Sequence, residues 1–235
     1  MNITVDNYEF INFEDDNIRI NFSTAKSNLD FNMSTSEGLE NLENIKTWFQ
    51  VDEVGYLKQT HSDKIYLYDG IVHEGDAIIT DKPNVAIGVF TADCVPVLIY
   101  SKDRSIIAAV HSGWKGTFLE IVYKTVKRIV NMYSVDVKDI KVYIGPHNRE
   151  CCYEFGKDIA AKFYEKDIYK NIKFYNNGKL NLEACIIKQL VKIGVLKENI
   201  KSLNICTFCN DRYELFSYRK QKVGYGRMYS FIYMK

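Results

Sequence analysis

The hydrophobic positions of the chain fall mainly into short apolar runs separated by polar turns. Runs of this length that are rich in Val, Ile and aromatic residues predict β-strands. We predict strands at 54–59, 64–68, 77–80, 85–90, 97–100, 106–110, 140–144, 203–206, 213–218 and 229–234. Several of these runs are too close together for a helix to fit between them, so 54–110 predicts hairpins and a meander rather than repeated βαβ units.

Helical periodicity is found in four segments. Apolar residues recur at three- and four-residue spacing in 39–49 and in 122–130, which predicts two amphipathic helices. Shorter helices are predicted at 157–165 and at 182–193, the second ending before Gly194, a residue type that commonly ends helices. Because strands outnumber helices, the pattern predicts an α+β fold with mixed β-sheets flanked by peripheral helices.

The chain shows no sign of division into domains. The 235 residues contain no internal repeat, no low-complexity segment and no linker rich in Pro, Gly or Ser. With 46% apolar residues, a chain of this length can bury one full core. We therefore predict a single domain spanning residues 1–235.

Composition also bears on the partners of the protein. The 31 basic and 30 acidic residues leave a net charge of +1, which gives no support for a non-specific nucleic-acid binder. The sequence has no run of about 18 apolar residues and no signal-peptide pattern at its start. We expect a soluble, cytoplasmic protein without a nucleic-acid or membrane partner, and the sequence sets no expectation for its oligomeric state.

Three side chains with metal-binding or nucleophilic chemistry lie beside predicted strands. His61 follows 54–59, Cys94 lies shortly before 97–100, and His111 follows 106–110. Two imidazoles and a thiolate suit a zinc site with one position open for water. They equally suit a cysteine nucleophile paired with a histidine base. Both interpretations place a site at one rim of a sheet, and the residues by themselves leave the choice open.

Two further segments have the composition of an anion site. Ser112 and Lys115 lie where a strand meets a helix, so free backbone N–H groups and a lysine could bind phosphate there. Arg219 and Arg227 stand beside aromatic residues and could hold phosphate or stack on a base. The alternatives are an ordinary glycine-containing turn and surface arginines in simple ion pairs.

The remaining cysteines suggest less. Cys206 and Cys209 form a CxxC motif, which supplies half of a zinc ribbon or a redox pair. Since there is no second CxxC motif, we expect packed thiols. The adjacent Cys151 and Cys152 are expected to be reduced, as is usual in a chain without a secretion signal.

Taken together, these motifs give a chain that resembles the YfiH-type laccase-domain family over nearly its whole length. Members of that family are also called polyphenol oxidases, purine nucleoside phosphorylases and peptidoglycan editing factors. The matching segments are Gln59-Thr60-His61, Gly75-Asp76-Ala77, Thr91-Ala92-Asp93-Cys94-Val95-Pro96, Ala109-Val110-His111-Ser112-Gly113-Trp114-Lys115-Gly116, Ile144-Gly145-Pro146, Cys206-Thr207, Phe216-Ser217-Tyr218-Arg219 and Gly226-Arg227. So many matches in the same order make the resemblance specific.

The resemblance implies a YfiH-like α+β catalytic domain with Zn²⁺ bound by His61, Cys94 and His111. It implies phosphorolysis of adenosine, inosine or methylthioadenosine to ribose 1-phosphate and free base, and deamination of adenosine. The protein would then be both a transferase and a hydrolase, with a purine nucleoside and phosphate as its small-molecule substrates. Asp93, next to Cys94, is a candidate acid/base or a carboxylate that supports the ligand, and it could equally cap the turn.

Three alternatives accompany this reading. A polyphenol oxidase would bind Cu²⁺ at the same residues, but the chain has four histidines and no His-x-His pair of the kind that multicopper oxidases use. A cysteine hydrolase editing peptidoglycan precursors would use Cys94 as nucleophile with His111 or His61 as base, and it would survive chelation. A non-catalytic protein would bind nucleosides without turnover.

The N-terminal part of the chain departs from the family pattern. The family's Ser-Thr-Arg and following Gly-Gly turn are replaced here by Ser23-Thr24-Ala25-Lys26 and a shorter loop. Lys26 keeps a positive charge but lacks the planar guanidinium fork. If the family's arginine contacts substrate, the specificity or rate of this protein differs.

Overall fold

The computed structural model describes residues 2–101, 103, 105–222 and 224–235. The helices are α1 (Ser36–Phe49), α2 (Trp114–Phe118), α3 (Ile121–Tyr133), α4 (Lys157–Glu165), α5 (Leu182–Ile193) and α6 (Tyr218–Gln221), with 3₁₀ turns at Lys26–Asn28, Val137–Asp139, Asp167–Tyr169 and Lys197–Asn199. The strands are β1 (Asn2–Val5), β2 (Tyr8–Asp15), β3 (Ile18–Ser23), β4 (Glu53–Gly55), β5 (Ile65–Leu67), β6 (Ala77–Thr80), β7 (Val85–Thr91), β8 (Val95–Ser101), β9 (Ile106–Ser112), β10 (Ile140–Ile144), β11 (Tyr175–Asn176), β12 (Lys179–Leu180), β13 (Ile200–Ser202) and β14 (Met228–Met234).

The strands form two six-stranded sheets and one small ribbon within the described residues. The first sheet has the order β1-β2-β3-β14-β7-β4, the second has the order β13-β10-β8-β9-β6-β5, and β11 pairs with β12. Neighbouring strands are antiparallel except for the parallel pairs β4–β7, β5–β6 and β10–β13. Both sheets are therefore mixed, which confirms the predicted α+β class.

The two sheets pack face to face, and their central strands are buried on both sides. In β8, Leu98 packs between the sheets, whereas Val97 packs against the helices outside. In β14, Ile232 packs between the sheets, whereas Phe231 packs beneath α1. The layers are therefore α1, the first sheet, the second sheet, and then α3 with α4 and α5. Strands covered on both faces need apolar residues at successive positions, which explains the continuous apolar runs.

Most of the predicted elements are confirmed. β6, β10, α4 and α5 have the predicted bounds, and β7, β8, β9 and β14 extend the predicted strands by one to three residues. The described residues between 53 and 112 form strands and no helix, as predicted. None of the described helices has the length and apolar character needed to cross a bilayer.

The strand predicted at 213–218 is wrong. The Asn210 side chain accepts hydrogen bonds from the backbone N–H groups of Arg212 and Tyr213. Ser217 in turn caps α6 by accepting from the N–H of Lys220. These local bonds use the backbone donors that a strand ladder would need.

Three other predicted strands are shifted or shortened, and the one predicted at 64–68 is reduced to β5 (Ile65–Leu67). The predicted strand at 203–206 is replaced by β13, which ends at Ser202, because Asn204 takes a left-handed conformation with φ of 57°. The predicted strand at 54–59 is reduced to β4, because Gln59 instead hydrogen-bonds through its side chain to both backbone groups of Phe90.

Three strands before residue 54 were missed by the sequence analysis. β2 and β3 contain polar residues at positions that the fold buries, and β1 has no buried residue. Asn12 and Asn21 lie 4% and 0% exposed on adjacent strands, and their side chains hydrogen-bond to each other at 2.9 Å. A buried polar pair of this kind interrupts the hydrophobic pattern without interrupting the strand.

Candidate metal centre and adjoining cavity

Two turns and the end of a strand bring His61, Cys94 and His111 together at one rim of the paired sheets. His61 lies in a turn with φ of 57°, Cys94 lies in the turn between β7 and β8, and His111 lies near the end of β9. One ligand atom from each side chain lies within 4.8 Å of the others, and Sγ of Cys94 is 3.8 Å from Nε2 of His61. The residues that the sequence singled out separately thus form one cluster.

Asp76, a fully buried carboxylate at the start of β6, fixes two of these side chains. Its Oδ1 accepts from Nδ1 of His111 at 2.7 Å and from the backbone N–H of His61 at 3.0 Å, and its Oδ2 accepts from Ser62. Burial raises the pKa of Asp76, but hydrogen bonds from His111 and Ser62 outweigh it and hold the pKa at about 2. Because a carboxylate can only accept, Nδ1 of His111 carries the proton and Nε2 is left for a metal ion.

The role of Asp76 is not evident from the sequence. Asp76 belongs to the Gly75-Asp76-Ala77 segment, which matches a family motif. Metal-binding histidines generally hydrogen-bond to a carboxylate, so a carboxylate partner for His61 or His111 could be expected. The partner lies 35 residues away in the chain, so only the β6–β9 pairing identifies it.

Cys94 and His111 shift each other's protonation. Burial raises the pKa of the Cys94 thiol, but the neighbouring His111 and His61 lower it to about 6. Burial lowers the pKa of His111, but Cys94 and Asp76 raise it to about 9. The two histidines therefore favour the thiolate form of Cys94, which is the form that binds metals or acts as a nucleophile.

The space around the cluster fits a metal ion. A Cβ atom added at Gly113 would lie 2.9 Å from Sγ of Cys94 and 2.9 Å from Cδ2 of His61, so only glycine leaves this space open. Two imidazole nitrogens and one thiolate are a donor set that zinc commonly takes, with a fourth position open. The residues present therefore fit the zinc ion that the family resemblance implies.

A cavity of about 610 Å³ opens beside the cluster, and the three side chains lie on its wall. Its lining includes six aromatic residues, namely Phe31, Phe90, Trp114, Tyr153, Tyr218 and Tyr225. This volume lies within the range of small-molecule sites, which typically combine apolar walls with a few polar groups. The cavity suits a flat aromatic ligand next to the metal centre.

Arg219 and Arg227 bring positive charge to the same cavity. The guanidinium carbon of Arg219 is 5.2 Å from the ring centre of Tyr153, and that of Arg227 is 4.4 Å from the ring centre of Tyr225. The backbone N–H of Arg219 donates to Asp93, and that of Arg227 donates to Asp30. Carboxylates thus hold the backbone of both arginines.

Asp93 cross-links three segments around Cys94. Its Oδ1 accepts from Oγ1 of Thr207 at 2.6 Å, its Oδ2 accepts from the N–H of Arg219 at 2.7 Å, and its carbonyl accepts from the N–H of Asn148. Its backbone is in the left-handed region at φ of 100°, which strains a residue with a side chain. This arrangement matches the supporting role predicted for Asp93 more closely than the acid/base role.

The structure places Ser112 and Lys115, the residues of the predicted anion site, apart from the cavity. Ser112 is fully buried and its hydroxyl bonds to that of Thr117 at 2.9 Å, while Lys115 is exposed beside the ring of Trp114. Neither residue lines the cavity, and α2 has only five residues. Lys26 is exposed and also lies outside the cavity lining, so it does not supply the charge of the missing arginine there.

Comparison with known proteins places the chain in a family. Residues 21–235 match the sequence profile of the family described as multi-copper polyphenol oxidoreductase laccase. The chain belongs to this YfiH-type laccase-domain family. A purine nucleoside phosphorylase of Clostridium acetobutylicum is 52% identical over 238 residues, covering 100% of both chains. A purine nucleoside phosphorylase of Borreliella burgdorferi is 35% identical, covering 72% of this chain and 74% of its own.

Solved structures of the laccase-domain family share the fold. The Bacillus licheniformis hypothetical protein YfiH has a TM-score of 0.83 at 25% identity and covers 93% of each chain. YlmD from Geobacillus stearothermophilus has a TM-score of 0.86 at 20% identity, covering 94% of this chain and 93% of its own. The resemblance seen in the sequence motifs is thereby confirmed at the level of family and fold.

Proposed function

We propose that this protein is a purine nucleoside phosphorylase acting on adenosine, inosine or methylthioadenosine. The observation that carries the proposal is that one cavity combines six aromatic side chains, two arginines and the cluster of His61, Cys94 and His111. The 52% identical relative named as a purine nucleoside phosphorylase supports the same substrate class. The enzyme is then a transferase whose small-molecule substrates are a nucleoside and phosphate.

The cavity residues have separate tasks in this reaction. Aromatic rings offer flat surfaces on which a purine stacks. Arg219 and Arg227 carry planar guanidinium groups that match the geometry of phosphate oxygens. Phosphate forms a bond to C1′ of the ribose as the bond from C1′ to the purine nitrogen breaks. The electron pair of that bond leaves with the purine, which takes up a proton, and ribose 1-phosphate remains.

We further propose that His61, Cys94 and His111 bind Zn²⁺. The ion would supply a Lewis acid and would lower the pKa of a bound water toward about 7. Asp76 holds the ring of His111 with its Nδ1 protonated, and Gly113 keeps the adjoining space open. Hydrolytic deamination of adenosine, which replaces the amino group at C6 by oxygen from water and releases ammonia, is the second activity proposed at this centre.

The first experiment is chromatography of adenosine and inosine incubated with the purified protein in phosphate buffer. We expect free base and ribose 1-phosphate, and we expect loss of both products in Cys94→Ala. The matched control is Cys185→Ala, because Cys185 is fully buried in the helical layer away from the cavity. Absence of turnover in the wild-type protein, or full activity of Cys94→Ala, would sink the proposal.

The same assay without phosphate separates the two reactions. Deamination needs only water, so adenosine should yield inosine in a phosphate-free buffer, whereas phosphorolysis should stop. If adenosine stays unchanged there while phosphate restores cleavage, the deaminase activity is ruled out and the phosphorylase activity stands.

A cysteine hydrolase acting on peptidoglycan precursors is the second candidate function. It is favoured by the lowered pKa of Cys94 and by the 3.8 Å distance from its sulfur to His61. Chelation distinguishes the candidates: a metal-dependent phosphorylase loses activity in chelator and regains it with Zn²⁺. A cysteine hydrolase keeps or gains activity because its thiolate is set free.

The positions of the histidines support a polyphenol oxidase less than they support the two functions above. All four histidines lie in the described part of the chain, and only His61 and His111 share a site. His73 stacks on Tyr66, and His147 is buried beside Glu183. Oxidase activity would therefore depend on Cu²⁺ at the same centre, which a polyphenol assay with and without added copper measures.

A further inference from the structure

A second cluster of metal-binding side chains lies outside the cavity wall. Cys151 and Cys152 follow β10, Cys206 and Cys209 follow β13, and the four sulfur atoms lie within 4.8 Å of one another. Cys206 is buried, Cys152 is partly exposed, and Cys151 and Cys209 are exposed. The prediction of packed thiols is therefore wrong for Cys209, which is exposed. Cys151 and Cys152 supply the second pair of cysteines beside the CxxC motif.

The sulfur spacing fits one tetrahedral metal ion. Sγ of Cys151 is 3.6 Å from Sγ of Cys209. Four sulfurs around zinc, each about 2.3 Å from the metal, lie about 3.8 Å from one another in a regular tetrahedron. A disulfide would instead require a distance of about 2 Å between two of them.

The backbone around Cys206 is arranged for a thiolate. Backbone N–H groups of Arg149, Phe208 and Cys209 point at the sulfur of Cys206. Two of these donors, Phe208 and Cys209, belong to the CxxC motif, so the turn at 206–209 surrounds the sulfur of Cys206. In addition, the ammonium of Lys179 donates to the carbonyl of Cys151 and brings positive charge to the cluster.

We propose that Cys151, Cys152, Cys206 and Cys209 bind a structural Zn²⁺ ion. Four thiolates fill all four positions of a tetrahedral ion and leave none open for water, which distinguishes this site from the centre formed by His61, Cys94 and His111. The inference does not depend on which reaction the cavity carries out.

The location of this four-cysteine site gives the ion a specific task. Cys152 is followed by Tyr153, which lines the cavity, and Cys206 is followed by Thr207, which donates to Asp93. Apart from a parallel bridge between His147 and Cys206 and an antiparallel bridge between Glu154 and Lys179, the two loops lie outside the sheets. A metal ion on the four cysteines therefore ties the loop that carries Tyr153 of the cavity wall to the loop whose Thr207 holds Asp93 of that wall.

The test removes the first centre and examines what metal remains. A double variant with His61→Ala and Cys94→Ser is produced in zinc-supplemented medium and purified anaerobically without chelator. Elemental analysis should find one zinc ion per chain, and X-ray absorption should find four sulfur neighbours at about 2.3 Å. Adding Cys209→Ser should abolish this binding, whereas adding Cys185→Ala should leave it intact.

Several outcomes would overturn the proposal. They are a double variant without metal, a zinc shell containing nitrogen or oxygen, and iron in the four-sulfur shell. A test on the wild-type protein needs no substitution: exposed Cys151 and Cys209 should resist a thiol-modifying reagent until a chelator is added, as read by mass spectrometry of the labelled peptides. Immediate labelling of both, or a disulfide between them under anaerobic conditions, would contradict a bound ion.

Discussion

At the scale of single residues, Asp76 ties the stability of the fold to the geometry of the metal centre. Its two oxygens accept hydrogen bonds from the turn at 60–62 and from His111 on β9. Without that negative charge, the turn carrying His61 and the ring of His111 would lose their common anchor. A change at Asp76 therefore affects both acid stability and metal binding.

The acid stability follows from the direction of the pKa shift. Folding lowers the pKa of Asp76 from 3.8 to about 2, so the ionised carboxylate stabilises the fold above about pH 4. This stabilisation, about 2 kcal/mol, is lost as the pH falls from about 4 to about 2. Urea unfolding in the presence of chelator should show that the free energy of unfolding falls less steeply below about pH 4 in Asp76→Asn than in wild type. Equal pH dependence of the two proteins would contradict the lowered pKa of Asp76.

The metal-binding effect is predicted separately. Asp76→Asn should weaken zinc binding by about 10- to 100-fold, because the amide orients the imidazole of His111 less strongly than a carboxylate. Competition with a chromophoric chelator measures the affinity. Asp63→Asn is the matched control, since Asp63 pairs with Lys124 at the surface and should leave the affinity unchanged.

Phosphate recognition gives a third prediction at this scale. Arg227→Lys should raise KM for phosphate about tenfold, because a point charge replaces a fork that forms two parallel hydrogen bonds. Arg212→Lys is the control, because Arg212 lies over Tyr213 and outside the cavity lining. Steady-state kinetics at varied phosphate concentration measure this KM. An unchanged KM in Arg227→Lys would show that Arg227 does not bind phosphate.

The chemical types of the site residues could be predicted from the sequence, but the orientation of their side chains could not. His61, Cys94 and His111 stood out because imidazole and thiol beside strands are the groups that bind metals. Ser112 appeared equally suitable, yet its hydroxyl turns into the protein toward Thr117. Sequence position fixes where a residue enters a loop, whereas side-chain direction depends on packing that the local pattern does not contain.

At the scale of elements, β7 illustrates how tightly the first sheet is packed. A Cβ atom added at Gly88 would lie 2.4 Å from Cζ of Tyr229 and 2.7 Å from the carbonyl oxygen of Ser230. Tyr229 is fully buried and donates its hydroxyl hydrogen bond to Gly55. Neither the ring nor the backbone has space to move away.

Gly88→Ala should therefore lower the free energy of unfolding by about 3 kcal/mol, the upper end of the usual cost of overpacking. Urea denaturation measures the change. Gly156→Ala is the control, because its Cβ would meet only the exposed side chain of Asp158, and a change within about 0.5 kcal/mol is expected. Equal effects of the two substitutions would show that β7 relaxes around the added methyl group.

Four of the strands that were predicted correctly are buried on both faces. β6, β7, β9 and β14 have continuous apolar sequences because both neighbouring layers exclude water. β1 and β2 lie toward the edge of the first sheet; β1 alternates exposed and half-buried residues, and β2 mixes exposed, half-buried and buried residues. The strand signal in the sequence thus weakens where the sheet meets solvent.

At the scale of the whole molecule, the order of strands in the first sheet was not predictable from local patterns. β14 lies between β3 and β7, and Tyr229 hydrogen-bonds to Ser23 across 206 residues of sequence. Apolar runs identify strands, but they do not specify which distant strand is the partner. The face-to-face packing of the two sheets depends on that pairing.

Truncation tests the importance of this central strand. Deleting 228–235 should give insoluble protein, because β3 and β7 would each expose an unpaired edge and the intersheet core would lose Ile232 and Met234. Deleting 2–5 removes only an edge strand and should leave soluble, folded protein. Fractionation and circular dichroism distinguish the outcomes, and a soluble, folded 228–235 deletion would show that β14 is dispensable.

The position of β14 also has a consequence for protein synthesis. The nascent chain emerges from the ribosome at about 5–20 residues per second, so β14 is synthesised many seconds after β3, with which it pairs. During that interval the edges of β3 and β7 are open to other strands. We therefore expect newly made chains to depend on chaperones until residue 234 has emerged, and a premature stop codon shortly before that point to leave a product that proteases remove.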